Sequence, residues 1–145
     1  MEYLLLIYSD ESLRAEMTPE ETEVALKGWF DYTDWLREKG WHRAGEALTP
    51  TASATTIRER NGETLTTDGP FAETKELIAG FWLWQVKSLD EAIEWLKRAP
   101  FKEGEVEMRQ VFEAEDFGDA FTSELREQEA RVRAQAEQLK KTAKS

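Results

Sequence analysis

Two short runs limit what this chain can fold into. Tyr3-Leu4-Leu5-Leu6-Ile7-Tyr8 and Phe81-Trp82-Leu83-Trp84-Gln85-Val86 are too short for helices, and each carries large apolar side chains at both parities. Successive side chains of a strand point to opposite faces of its sheet, so these runs read as strands that need cover on both sides. One layer of helices can cover only one of those sides.

The remaining segments supply the helices and the order. Thr18-Pro19-Glu20-Glu21 combines an N-cap, a proline in the first turn and a glutamate placed to close a capping box, which predicts a helix running to Gly40. Ala25, Leu26, Trp29, Phe30 and Leu36 form its apolar stripe, while Val24, Tyr32 and Trp35 widen the apolar arc beyond one contact. Three strand-like pieces follow, Trp41–Leu48, Ala54–Arg60 and Glu63–Thr67, the last two joined by the hairpin dipeptide Asn61-Gly62. Asp68-Gly69-Pro70-Phe71 reads as a turn, and Ser88 with Glu91 opens a second helix, Leu89–Arg98, that Pro100 ends. Val106–Phe112 alternates as a half-buried strand. The order β-α-β-(hairpin)-β-α-β is that of a ferredoxin-like α+β fold with an inserted β-hairpin. Its two helices would share one sheet face and leave the other as a large apolar patch. The smallest cover is a homodimer with two sheets face to face, a dimeric α+β barrel. The alternative is that the hairpin and the C-terminal segment fold back over that face.

Charge separates the C-terminus from the rest. Residues 122–145 carry six basic and four acidic side chains, which leaves residues 1–121 at −13 out of a total of −11. The segment lacks Gly, Pro and aromatics and reads as a C-terminal helical extension, 122–145, outside a domain of residues 1–121. Phe121, Leu125, Val132 and Leu139 give only about half the seam that a coiled coil needs. The favoured reading is a solvated helix resting on its own body. A net charge of −11 with pI ≈ 4.7 disfavours nucleic acid and anionic membrane surfaces. No cysteine and a single histidine leave no ordinary ligand set for a metal, and neither a cofactor nor a targeting segment is expected. The expected location is the cytoplasm.

Asp68-Gly69-Pro70-Phe71-Ala72-Glu73-Thr74-Lys75-Glu76 resembles the signature of the YCII-related proteins of the DGPF, or DGPFAETKE, group. The resemblance extends over residues 1–118 through Asp10-Glu11, Gly45-Glu46-Ala47-Leu48-Thr49-Pro50, Thr55-Thr56-Ile57-Arg58, Leu89-Asp90-Glu91-Ala92 and Glu105-Val106-Glu107-Met108-Arg109-Gln110-Val111-Phe112. It implies a ferredoxin-like dimeric α+β barrel, the fold that the periodicity suggests independently. It assigns no activity, although many such proteins resemble products of genes neighbouring extracytoplasmic-function sigma factors, a stress or signalling context. Some members of the wider superfamily resemble enzymes that use a His–Asp pair for proton transfer or dehydrochlorination. Here no histidine falls in a matching segment, and His42 reads as a surface residue.

The candidate site residues are few. A turn accounts for Gly69 and Pro70, but not for a fixed charged trio, so Glu73, Lys75 and Glu76 join Asp68 as candidates. In an enzyme, Asp68 would be the acid or base, with Lys75 and Arg109 as electrostatic partners beside an aromatic cavity between the first helix and the sheet. Arg58 and Arg109 could fork a ligand carboxylate or phosphate; the competing role for Arg109 is an ion pair with Glu107 two residues away on the same face. Two functions remain: a dimer that binds a small molecule or a protein partner, which is favoured, and a cofactor-independent enzyme of proton transfer, isomerisation or elimination.

Overall fold

The computed structural model describes residues 1–69 and 76–143. The chain divides into two compact units, Met1–Val111 and Phe112–Ser145. The first unit contains β1 (Glu2–Asp10), α1 (Glu11–Ala15), α2 (Pro19–Glu38), β2 (His42–Ala47), β3 (Thr55–Arg60), β4 (Glu63–Asp68), β5 (Glu76–Gln85), α3 (Leu89–Leu96) and β6 (Glu105–Gln110). The second holds a turn of 3-10 helix at Ala114–Ala120, broken at Gly118, and α4 (Ser123–Thr142).

A four-stranded antiparallel sheet has the order β2-β5-β1-β6, and β3-β4 form a separate two-stranded ribbon. The chain therefore leaves β1 through α2 to a strand two places away, and leaves β5 through α3 to β6 across β1. This is the α+β, ferredoxin-like arrangement expected from the sequence, with the hairpin inserted between β2 and β5.

Register sorts the apolar residues. Leu5 stands opposite Trp82 and Met108, Tyr3 opposite Trp84, and Ile7 opposite Val106. These residues, with Val86, pack against Tyr32 and Leu36 of α2 and Ala92 of α3, so both helices cover the same face. The opposite face carries Leu4 across from Leu83 and Leu6 across from Phe81, all half-buried. The hairpin does not cover this face by folding flat on it: nearly all of β3 and β4 is exposed.

Local chemistry fixes the ends. The Thr18 hydroxyl accepts from the Glu21 amide at 3.2 Å and the Glu21 carboxylate accepts from the Thr18 amide at 2.8 Å, the full capping box. At α3 only half of the expected box forms: Ser88 accepts from the Glu91 amide, but the Glu91 carboxylate turns to the amide of Lys87. Asn61 (φ 53°) and Gly62 (φ 80°) are both left-handed, as the tightest hairpin turn demands. Two elements differ from expectation. Asp10 ends β1 and accepts from the Ser12 amide and hydroxyl, which starts the short helix α1 where the sequence pattern predicts none. β5 begins at Glu76 rather than Phe81, because its first residues pair with the end of β1.

In the second unit Phe117 lies 4.9 Å from Phe112 and 5.7 Å from Phe121, ring centre to ring centre. Arg126 sits 5.1 Å over the Phe121 ring, and Thr122 caps α4.

Candidate functional site

Several segments of the motif set meet at one end of the sheet. Asp10, the last residue of β1, stands opposite Glu76, the first of β5, and Ala47 at the end of β2 stands opposite Gly80. The Glu11 carboxylate accepts from the Thr51 amide at 2.8 Å and from its hydroxyl at 3.0 Å, which fastens the Thr49-Pro50-Thr51 loop to the end of β1. Thr51 O in turn accepts from the Ala54 amide at 3.0 Å, and Ala54 O accepts from the Gly69 amide at 2.6 Å. The Thr56 hydroxyl closes the chain by donating to Gly69 O at 2.7 Å. Gly69 has φ 93°, a conformation that a side chain would strain. Glu11, Thr51, Ala54 and Gly69 thus form one hydrogen-bonded buttress under the hairpin.

The candidate charged residues do not gather on it. Asp68 ends β4 opposite Thr55, whereas Arg58 stands opposite Leu65, and the alternation of a two-stranded ribbon puts the two on opposite faces. Both are exposed. Arg109 belongs to the other sheet, opposite Leu4 on the helix-free face, with its Nε 3.4 Å from Glu107 Oε1. That contact is the ion pair anticipated between these neighbours, and it is solvent-exposed. Glu76 opens β5. Glu73 and Lys75 lie outside the described residues.

The expected aromatic cavity between the first helix and the sheet is instead an aromatic core. Trp29, Tyr32 and Trp84 all lie 5.5–5.6 Å from Trp82, and Trp95 lies 4.3 Å from Trp35 and 4.0 Å from Trp41. Rings fill the space that a ligand would need. The Tyr32 hydroxyl donates to Trp95 O at 2.7 Å, and burial pushes its phenol above the usual tyrosine range. Outside this core, an open hollow of about 410 Å³ is lined by Gly28, Tyr32, Trp35, Arg98 and Pro100. The Arg98 guanidinium lies 5.4 Å from each of the Trp35 and Trp95 rings.

His42 is not the surface residue expected. It stands opposite Trp84 at the inner face, half-buried, and its Nδ1 is buried without a hydrogen-bond partner among the described residues. Burial lowers its basicity, the Arg37 charge lowers it further, and Glu46 opposes them. Gly45 makes room: a Cβ there would lie 2.5 Å from Trp82 Cδ1 and 2.9 Å from His42 Cε1. An irregularity in the β2–β5 register between His42 and Ala44 turns the histidine inward, which simple alternation could not reveal.

The profile of the YCII-related domain matches residues 1–115. The chain belongs to the YCII-related family. An uncharacterized protein of Rhizobium meliloti (strain 1021) is 39% identical over 97 residues, which cover 67% of this chain and 78% of that protein. The YCII-related match takes in every strand and helices α1 to α3, and stops short of α4. The Glu11 to Gly69 buttress, which joins the Asp10-Glu11 and Asp68-Gly69 segments that first suggested the family, is thus part of the YCII-related domain.

Proposed function

We propose that this YCII-related chain acts as a homodimer, joined through the helix-free faces of two sheets as in a dimeric α+β barrel, and that it binds a small molecule or a protein partner without catalysis. One observation carries the reading: among the described residues no carboxylate, amine or guanidinium is buried, whereas Leu4, Leu6, Phe81 and Leu83 make a continuous apolar block across the two central strands. Proton-transfer chemistry draws on carboxylates or amines tuned by burial or by close charges. Asp68, Arg58 and Arg109 stand in solvent and apart from one another. A flat apolar block in the middle of a sheet, by contrast, is self-complementary about a two-fold axis. Light scattering at micromolar concentration tests the assembly: the expected particle is twice the 16.8 kDa chain, and a particle of 16.8 kDa overturns the proposal.

A second reading, cofactor-independent proton transfer on a small organic ring, is supported by His42. Its half-buried imidazole is kept neutral and has an unpartnered nitrogen, so it could accept a proton. It faces the Trp82 and Trp84 side of the sheet rather than the hairpin that carries Asp68. Solvent-deuterium exchange into a panel of small acidic carbocycles, followed by NMR, distinguishes the readings. No exchange above background supports the binding protein. Exchange that falls about 10²-fold in His42→Gln supports the enzyme.

A further inference from the structure

We propose that the hollow between α2 and the segment after α3 is a small-molecule site, and that its ligand is a planar aromatic carboxylate whose ring lies on Trp35 and whose carboxylate is held by Arg98. The inference deepens the function proposed above and rests on its small-molecule half. The hollow measures about 410 Å³ and is lined by Gly28, Tyr32 and Trp35 of α2 and by Arg98 and Pro100. Small-molecule pockets run from about 300 to 1,000 Å³, so one or two fused rings have room here. The wall is aromatic. The Tyr32 and Trp35 rings stack at 30° with centres 5.8 Å apart, and Trp95 extends the layer 4.3 Å from Trp35. An offset ring added to such a wall gains stacking beyond the area it buries.

Two further observations select the ligand. The first is charge. On the same two elements Lys27 holds Asp31 at 2.9 Å, Arg37 holds Asp34 at 3.6 Å and Lys97 holds Glu94 at 2.7 Å. Arg98 instead lies 5.4 Å from the Trp35 and Trp95 rings, and no carboxylate among the described residues comes within ion-pair distance of it. A guanidinium over rings keeps N–H groups for another partner, and a carboxylate matches them two at a time. The Arg98 charge also reaches the Tyr32 phenol, where it opposes the rise that burial causes. The second observation is Gly28. Glycine inside a helix is less stable than alanine. A Cβ at this position would meet Pro100 Cβ at 3.7 Å, an ordinary contact, and the backbone there is helical, so neither packing nor torsion calls for glycine. What the missing side chain supplies is width to the hollow. The position gives up stability and keeps space open, the usual trade of a binding site.

Titration of the full chain with 1-naphthoate, followed by ligand NMR, tests the site. The expected dissociation constant is below about 1 mM. Binding of 1-naphthamide, which lacks the charge, and of cyclohexanecarboxylate, which lacks the rings, should each be at least about tenfold weaker. Arg98→Gln should weaken naphthoate about tenfold and leave naphthamide unmoved. Gly28→Leu should fill the hollow and weaken both, with a melting temperature equal to or above that of the wild type. Naphthamide as tight as naphthoate overturns the carboxylate ligand. Naphthoate affinity unchanged in either variant overturns this hollow as its site and leaves small-molecule binding elsewhere standing, and no binding at millimolar naphthoate overturns the inference outright. The assembly fails separately: a 16.8 kDa particle in light scattering would overturn the dimer without moving these affinities, because the hollow is built within one chain.

Discussion

The two faces of the main sheet are built from alternate residues of the same strands, yet they end in different states. On one face Tyr3, Leu5, Trp82 and Trp84 are buried under α2 and α3; on the other, Leu4, Leu6, Phe81 and Leu83 are only partly shielded. The side chains are equally apolar. What lies over them decides the outcome, and the first unit folds α2 and α3 over one face alone. Hydrophobic pattern therefore states a requirement for cover, while topology states how much of it one chain meets.

Breaking the covered face should have the largest effect. Trp84 is fully buried among rings, and Trp84→Ala should cost about 3–5 kcal/mol in a urea titration read with an unchanged slope. A loss below about 1 kcal/mol would show that the aromatic layer collapses around the gap. Leu6→Asp attacks the other face. It should halve the particle mass seen by light scattering and keep a cooperative thermal transition, since the side chain is already partly in solvent. A mass that stays doubled would remove this face as the contact.

Smaller effects sharpen the contrast at the sheet edges. His42 on the covered side is less basic in the fold than its ordinary value of 6.5, so the unfolded chain binds more protons near that pH. Its contribution to stability is complete above about pH 6.5 and is lost as the pH falls towards the lower folded value. His42→Gln should therefore flatten part of the decline in melting temperature between pH 7.5 and 5, and a curve parallel to the wild type would mean that the imidazole is solvated. Truncation after Thr122 should keep the cooperative transition of the remaining chain; loss of the transition would make α4 part of the core. Smallest of all, Arg109→Gln on the uncovered face should change stability by no more than about 0.5 kcal/mol, because the pair with Glu107 is exposed.

Features set by neighbours in sequence were legible before any coordinates. The Thr18 and Glu21 box and the Asn61-Gly62 turn each rest on bonds or torsions within a few residues. The β-α-β-β-α-β order followed from the two runs that are apolar at both parities together with the helix starts at Thr18 and Ser88 and the alternation of Val106–Phe112. Features set by register were not legible. The early start of β5 depends on Glu76 to Gly80 meeting the far end of β1, and the inward turn of His42 depends on the irregularity after it. The candidate site shows both sides of this rule. The Glu107 and Arg109 pair lay two residues apart and was foreseen. The separation of Arg58 from Asp68 follows from their parity across a known turn, and grouping both as candidates overlooked it.

The β3–β4 ribbon also bears on how this molecule stays apart from its own kind. A ribbon of two strands has two open edges, each a row of backbone donors and acceptors that could template the addition of a foreign strand. Ile57 and Leu65 stand exposed on it, so the apolar ingredient for such growth is present. Arg58, Glu59, Arg60 and Glu63 crowd its tip with alternating charge, and threonines occupy most of what remains. These side chains act as gatekeepers. Neutralising them would leave the folded sheet untouched and turn the hairpin into the seed of a filament.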